Sequence, residues 1–277
     1  MIKKNYDRNV IEDFGNEWQS YDQSIVDLEE LQKQFFNYFR LFSWNAEITN
    51  GIGIDFGCGS GRWARFVSKK VNTLICIDAS SKAINVAKRN LWDRENCYVI
   101  QGRIDTLPIL NNSLDFAYSL GVLHHLPDTA SAIKKCVSKL KSGAPFLIYL
   151  YYAFDNRPKW YLLIWKCSDF LRKIISKLPF YMKYVFSNIL ALGIYLPLAR
   201  LSFLLEKMKF NVSNIPLSEY RSKSFYTMRT DSLDRFGTRL EQRFSKEEIK
   251  IMMKNAGLVR IQFSDESPYW CALGIKS

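Results

Sequence analysis

"GIGIDFGCGSG", residues 51–61, is the stretch of sequence that decides the fold. The apolar run at its start predicts a buried strand, and a helical pattern resumes over Trp63–Lys70. A glycine loop between a strand and a helix lets the backbone approach a ligand closely and places helix N-terminal amides beside it. The stretch therefore predicts a strand–loop–helix unit that binds a nucleotide.

Two carboxylates narrow the class of nucleotide. The loop has the spacing Gly-x-Gly-x-Gly, whereas the nicotinamide dinucleotide fingerprint is Gly-x-Gly-x-x-Gly. Asp55 precedes the loop, where a carboxylate would repel a pyrophosphate and suits a cationic, amine-bearing ligand. Asp78 ends the next predicted strand, where a carboxylate can accept both hydroxyls of an adenosine ribose. The pattern favours an adenosine that carries a positively charged tail.

Strands and helices alternate on both sides of this unit. The predicted strands are 51–56, 71–77, 97–100, 114–120, 144–151, 258–263 and 269–275, and the predicted helices are 22–42, 63–70, 80–92, 128–140 and 245–256. This order predicts a Rossmann-like α/β fold with a doubly wound, mostly parallel seven-stranded sheet. We expect four segments, which are an N-terminal helical extension (1–50), a core that binds the nucleotide cofactor (51–153), a helical insertion or lid after strand five (154–243), and a closing helix with the last two strands (244–277).

The core resembles the class I S-adenosylmethionine-dependent methyltransferases, in particular the small-molecule members related to methyltransferase-11 and ubiquinone-biosynthesis enzymes. The resemblance rests on residues 51–61, 74–80, 102–109, 114–126 and 139–144, which follow the order and spacing of the family's motifs. It implies an enzyme that transfers methyl groups and uses S-adenosyl-L-methionine. The cofactor-binding residues that it implies are Asp55, Gly57, Cys58, Gly59, Gly61, Asp78, Ala79, Ile104, Asp105, Ser119 and Leu120.

One position departs from the family's pattern. Many members carry an acid directly after the glycine at position 102, to accept a hydrogen bond from the adenine amino group, but this chain has Arg103 there. The acid follows two residues later. We expect Ile104 to supply a backbone amide and an apolar wall, and Asp105 to supply the acceptor.

Methyl transfer from a sulfonium is an in-line displacement in which positioning does most of the work. A hydroxyl or protonated amine acceptor also needs a base. His124 and His125 follow the fourth predicted strand, at the edge of the sheet where ligands bind, and are the catalytic candidates. The alternative is that one histidine caps the strand end while the other packs against the turn that follows. The widely spaced cysteines, without a nearby histidine, predict no metal site.

The predicted insertion carries much of the chain's net charge of +12. Between Arg157 and Lys209 there are ten Lys and Arg residues against Asp169 and Glu206. Its longest charge-free run, Tyr184–Ala199, is shorter than the roughly 20 residues that span a bilayer. Interleaved aromatic and basic residues are typical of helices that lie in a membrane interface. The alternative is a lid over a soluble small molecule that buries its own aromatic faces.

These observations leave the acceptor open among a small molecule, a lipid and a lipid-linked glycan. The alternatives in other classes are an RNA methyltransferase, motivated by the basic insertion, and a cofactor-binding interaction protein without catalysis. RNA is less favoured because the chain shows no RNA-binding module, and no DNA partner is expected. Without an apolar stretch in Met1–Phe14 we expect a cytoplasmic protein, with peripheral contact to an anionic inner membrane face as an open alternative.

Overall fold

The computed structural model describes residues 5–277, whose strands form one seven-stranded sheet. The strands are β1 (Ile52–Phe56), β2 (Thr73–Asp78), β3 (Cys97–Gln101), β4 (Phe116–Leu120), β5 (Pro145–Tyr149), β6 (Leu258–Phe263) and β7 (Cys271–Lys276). Their order is β3-β2-β1-β4-β5-β7-β6. The first five strands are parallel, and β7 runs antiparallel to both β5 and β6. The predicted Rossmann-like, mostly parallel fold is confirmed.

The helices and helical turns lie between and around these strands. The α-helices are α1 (Arg8–Ser20), α2 (Leu28–Tyr38), α3 (Ala46–Thr49), α4 (Ala64–Val67), α5 (Ser81–Asn90), α6 (Thr129–Lys139), α7 (Lys159–Ile175), α8 (Phe180–Leu190), α9 (Leu196–Lys207), α10 (Phe225–Gly237) and α11 (Lys246–Asn255). Short 3-10 turns cover Ser68–Lys70, Leu123–His125 and Ser218–Tyr220, and a π-helical turn covers Ala191–Tyr195. A capping box begins α11, in which the side chains of Ser245 and Glu248 accept hydrogen bonds from each other's backbone amides.

The centre of the sheet is packed so that β1 and β4 approach closely. Every residue of β4 is buried. A Cβ atom on Gly53 would lie 1.9 Å from the ring of Phe116, so the glycine leaves the space that this ring fills. Because β1 to β5 are parallel, their carboxyl ends meet at one edge of the sheet, which is where this class of fold binds ligands.

The chain divides into two compact units. The first comprises the described residues up to Ser24, together with Leu31–Ala153 and Leu240–Ser277, and the second comprises Ile25–Glu30 and Phe154–Arg239. The second unit ends four residues earlier than the predicted insertion. Residues 240–243 belong to the first unit because their backbone bonds it, as in the hydrogen bond from the Gln242 amide to the His124 carbonyl (3.1 Å).

The N-terminal region differs from the single predicted helix over 22–42. Helix α2 begins only at Leu28, because the side chains of Asp22 and Asp27 accept hydrogen bonds from the amides two residues on and hold the chain in turns. A separate helix, α1, precedes it and is capped by Asp7, whose side chain accepts from the amides of Asn9 and Val10. Residues 1–4, the start of the predicted extension, lie outside the described residues.

The second unit contains a long helix that extends beyond the charge-free run Tyr184–Ala199, which by itself is too short to span a bilayer. The helix is continuous over Phe180–Lys207, 28 residues. Pro197 lacks an amide hydrogen and clashes with a regular helical turn before it. The π-helical turn Ala191–Tyr195 lies directly before this position and accommodates the proline without ending the helix. By length and composition alone, this helix qualifies as a candidate membrane span.

A further helix of the second unit, α10, lies within the predicted helical insertion, although its bounds were not predicted. Ser224 caps the helix by accepting a hydrogen bond from the Thr227 amide. Glu30 accepts from the Thr227 hydroxyl (2.6 Å) and the Ser224 amide (3.1 Å), which explains why residues 25–30 belong to this unit.

Candidate active site

The glycine loop after β1 has the backbone that its sequence requires. Gly57, Gly59 and Gly61 have φ values of +85°, +52° and +78°, a region that residues with a side chain rarely adopt. A Cβ atom on Gly57 would lie 2.5 Å from the methyl carbons of Val122. One on Gly59 would lie 2.8 Å from the indole of Trp18, so helix α1 covers the loop. Both the backbone angle and the space around the loop exclude larger residues.

Asp78 holds the loop from the end of β2. Its Oδ2 accepts a hydrogen bond from the Gly59 amide (3.1 Å), and its Oδ1 accepts one from the Ser80 amide (2.9 Å). Burial raises the pKa of Asp78, and these backbone amides oppose the rise. Each carboxylate oxygen has a second lone pair, so Asp78 retains the capacity to accept two ligand hydroxyls. The link between loop and carboxylate was not evident from the sequence.

Asp55 lies at the end of β1 and is buried. Burial raises its pKa to about 8, the nearby Asp78 adds to the rise, and the hydroxyl of Tyr118 and the charge of Arg62 only partly oppose it. Among the described residues, its Oδ2 atom has no hydrogen-bond partner. A buried carboxyl oxygen without a partner is costly unless a ligand or water completes it.

These features fit S-adenosylmethionine. The ammonium group of its amino-acid tail would supply the cation and the donors that Asp55 lacks, and Asp78 would accept the ribose hydroxyls. The loop leaves space for close approach because its glycines carry no Cβ. Gly57, Gly59, Asp55 and Asp78 are therefore the residues that would hold the cofactor.

The segment expected to bind adenine is differently organised. Asp105 Oδ1 is bound by Arg103 Nε at 2.9 Å, and the Arg103 guanidinium lies 4.3 Å from the centre of the Tyr6 ring. Part of the acceptor capacity expected of Asp105 is thus used by Arg103. Ile104, which lies between them in the sequence, is half-buried.

Four other residues that were predicted to bind the cofactor are buried or form hydrogen bonds around the loop. The Ser119 hydroxyl donates to the Phe56 carbonyl (2.8 Å), which ties β4 to β1, and Leu120 is buried at the end of β4. The Cys58 amide donates to the Ile77 carbonyl (2.8 Å), and burial raises the pKa of its thiol, so that it stays protonated. Ala79 accepts a hydrogen bond from Gln101 through its carbonyl.

The two histidines lie in the 3-10 turn after β4, and both are buried. Burial lowers the pKa of His124 well below its usual value, with smaller contributions from His125 and Arg243, so its ring is neutral. That ring stacks on Tyr151 with 3.9 Å between ring centres. The His125 Nδ1 atom lies 2.7 Å from the Leu240 carbonyl oxygen. A carbonyl can only accept, so Nδ1 carries the hydrogen and Nε2 carries the lone pair in neutral His125.

An aromatic and ionic cluster at the same edge was missed by the sequence analysis. Tyr149 and Tyr151 follow one another at the end of β5, and Arg243 lies over the Tyr151 ring at 5.1 Å. Arg243 Nε also binds Glu241 Oε1 at 2.8 Å, and the Glu241 side chain is almost fully buried. The tyrosines directly after strand five were a visible signal, since they follow a strand whose carboxyl end lies at the ligand edge. No group of metal-ligating side chains occurs within residues 5–277.

Comparison with known proteins places the core in a family. A family model described as "Methyltransferase domain" matches residues 54–148. The ubiquinone biosynthesis O-methyltransferase of Nitrosomonas europaea is 26% identical over 176 residues, covering 59% of this chain and 68% of that protein. The uncharacterized methyltransferase YcgJ of Bacillus subtilis is 29% identical over 105 residues, covering 37% of this chain and 42% of that protein. The chain thus spans less than half of the second relative.

Solved structures agree on the fold. A chain from "Complex between the Haloferax volcanii Trm112 methyltransferase activator and the putative methyltransferase" aligns with a TM-score of 0.55 and 12% identity, covering 95% of this chain and 97% of that one. At this identity the likeness concerns the fold alone. The matched domain, the methyltransferase relatives and the glycine loop show that the core of the chain, residues 54–148, is a class I S-adenosylmethionine-dependent methyltransferase domain.

Proposed function

We propose that the chain transfers a methyl group from S-adenosylmethionine to a small-molecule, lipid or lipid-linked glycan acceptor. The observation that carries the donor assignment is the buried carboxyl of Asp55, one oxygen of which has no hydrogen-bond partner within residues 5–277, beside a glycine loop that Asp78 holds. A dinucleotide bound by this loop would bring an anionic pyrophosphate to the carboxyl in place of a cation. The aromatic cluster at the ends of β4 and β5 supports an acceptor with apolar or ring character.

The residues of the chain position the reactants. The bound cofactor supplies a methyl group already activated by the sulfonium charge. Asp55 would bind the ammonium group of the donor and Asp78 its ribose hydroxyls, and the glycine loop lies between these two contacts. Transfer is in line, so holding donor and acceptor in that geometry accounts for most of the acceleration.

We further propose that His125 removes the proton from a hydroxyl acceptor. The hydrogen bond from Nδ1 to the Leu240 carbonyl fixes the ring and leaves Nε2 as the basic atom. The same arrangement, in which one ring nitrogen is oriented so that the other can act, recurs in histidine bases. The O-methyltransferase among the relatives is named for transfer to oxygen, which supports a hydroxyl acceptor.

Two variants of His125 test this role. We expect His125→Ala to lower kcat by about 10²- to 10⁴-fold, the usual contribution of a general base, and to leave the affinity for S-adenosylmethionine unchanged. His125→Asn retains a donor near the Leu240 carbonyl but has no basic nitrogen, so we expect the same loss of kcat with the native Tm. Wild-type turnover in both variants would show that His125 only packs against its neighbours.

The acceptor class is tested with a radiolabelled donor. The protein is incubated with methyl-tritiated S-adenosylmethionine and an extract of the cells that express it, and the products are separated into chloroform-soluble, small water-soluble and RNA fractions. We expect the label in one of the first two fractions, and none with the Asp55→Asn variant. Label confined to RNA would contradict the proposal and favour the RNA methyltransferase alternative.

Cofactor binding is also expected to release a proton. In the free protein the pKa of Asp55 is about 8, so its carboxyl group is protonated at pH values well below 8. Pairing with an ammonium group requires the deprotonated carboxylate. Binding must therefore remove the proton, and affinity should rise about tenfold from about pH 6 to about pH 7. Calorimetry in buffers of different ionisation enthalpy measures the released proton directly. Proton-independent binding across this range would rule out the pairing with Asp55.

A further inference from the structure

Helix α7 of the second unit has its polarity inverted. Its buried side carries Asp169 and Arg172, which form an ion pair at 2.8 Å, with Ile175 following. Its exposed side carries large apolar residues at helical spacing, namely Trp160, Leu163, Ile164, Phe170, Leu171 and Ile174. Helices of water-soluble proteins bury the apolar side and expose the charged one. The exposed stripe of α7 is therefore not accounted for by the packing of the second unit.

The long helix Phe180–Lys207 shows the same inversion. Its buried positions are Lys183, Ser187, Ala191, Tyr195, Ala199 and Ser202, mostly polar or small and spaced three or four residues apart. Its exposed positions include Met182, Phe186, Ile189, Leu192, Leu201 and Leu204. Only 22% of its most apolar window is buried. Two neighbouring elements of one unit thus expose their apolar sides.

The polar sides of both helices contact α10. Arg235 lies 3.9 Å from Asp169 on α7, and the Ser232 hydroxyl donates to the Ser187 carbonyl on α8 at 2.9 Å. The Arg229 guanidinium donates to the Tyr184 hydroxyl, also on α8, at 2.9 Å. Since these contacts fix the polar sides towards α10, the apolar stripes face away from it.

We propose that the stripe on α7 and the stripe on Phe180–Lys207 form a docking surface for an anionic phospholipid bilayer. Contiguous exposed apolar patches mark sites that bind a protein, a ligand or a membrane. The occupant follows from charge, because seven basic residues between positions 157 and 209 are exposed against one exposed acid, Glu206; they are Lys159, Lys166, Lys173, Lys177, Arg200, Lys207 and Lys209. Apolar residues bordered by basic ones match acyl chains beneath anionic headgroups.

The surface lies in the interface and does not span the bilayer. At 1.5 Å per residue α7 is about 26 Å long, below the 30 Å of the hydrocarbon core. The longer helix would reach across, but its polar side is bonded to α10, whose Arg229, Asp231, Asp234 and Arg235 would then enter the hydrocarbon at high cost. Lying flat places the apolar stripes in the acyl region and keeps α10 on the aqueous side.

Vesicle flotation of the full chain tests the docking surface. We expect the protein to float with vesicles that contain phosphatidylglycerol, to float less with pure phosphatidylcholine, and to be released in part by salt. Phe170→Ser/Ile189→Ser removes two side chains that are 69% and 58% exposed. We expect this variant to keep the native Tm and to lower vesicle binding at least about tenfold.

The matched control is Trp92→Ser/Leu110→Ser, which removes two apolar side chains of the first unit that are 83% and 80% exposed. It should float like the wild type. If the wild type does not float with either vesicle, or both double variants float like it, the proposal is wrong. A wild-type dimer that dissociates in Phe170→Ser/Ile189→Ser, without flotation, would assign the surface to a second copy of the chain. Flotation requires no turnover, so this result is independent of the acceptor.

Discussion

Asp55→Asn should lose most of its affinity for S-adenosylmethionine and become more stable to heat at alkaline pH. Removing one partner of a buried charge pair costs about 2–5 kcal/mol, which corresponds to a loss of about 30-fold or more in affinity. The gain in stability has a separate cause. The folded-state pKa of Asp55 is about 8, above the 3.8 of an unperturbed aspartate.

The folded chain therefore binds a proton that the unfolded chain has already released between these two pKa values. Stability from this group falls as pH rises through that window and is lowest above about pH 8. Asparagine has no proton to lose, so its Tm should exceed the wild-type value there by at least about 2–4 °C, the shift expected per kcal/mol. Titration calorimetry and thermal melts measure the two effects.

Asp115→Asn is the matched control, because Asp115 lies at the opposite end of the sheet. Its Oδ2 accepts from the Ile52 amide (2.8 Å), and its Oδ1 binds Lys141 (2.6 Å). That variant should bind the cofactor like the wild type and melt at a lower temperature. An Asp55→Asn protein with wild-type affinity, or with a lowered Tm at alkaline pH, would contradict the role given to Asp55.

Gly57→Ala is expected to destabilise the fold and abolish cofactor binding. The φ of +85° costs a residue with a Cβ about 1–2 kcal/mol. In addition, the new methyl would lie 2.5 Å from the methyl carbons of Val122, a half-buried β-branched side chain with few alternative rotamers. Displacing the loop would also separate Gly59 from Asp78.

Gly143→Ala separates the two costs. Gly143 has a φ of +83° but open space around its missing Cβ atom. We expect only the backbone cost there, with cofactor affinity unchanged. The difference between the two variants in free energy of unfolding, from denaturant titration, then measures crowding at the loop. Equal values, with cofactor binding intact in both, would show that the loop tolerates a side chain.

The sequence predicted the sheet and the cofactor loop well because both depend on local signals. Glycine permits the positive φ values that the chain adopts at positions 57, 59 and 61, and the apolar strands alternate regularly with helices. The bounds of β6 were predicted without error. Other elements depended on weaker signals, and the side chains of Asp22 and Asp27 delayed the start of α2 in a way that the apolar periodicity did not reveal.

The rest required knowledge of contacts distant in sequence. Nothing local shows that Leu240 orients His125, or that Arg243 lies over Tyr151. The inverted polarity of α7 is equally invisible in composition, because periodicity reveals an apolar side and not whether that side is buried. Proline usually ends or kinks a helix, but the π-helical turn before Pro197 carries the helix past it.

The most direct test of the central claim is a calorimetric titration of the full chain with S-adenosylmethionine and, separately, with NAD⁺. We expect S-adenosylmethionine to bind saturably at one site, and this binding to be lost in Asp55→Asn. We expect no binding of NAD⁺, whose pyrophosphate offers no cation to Asp55. Absence of binding by S-adenosylmethionine, or its displacement by NAD⁺, would contradict the assignment of the glycine loop.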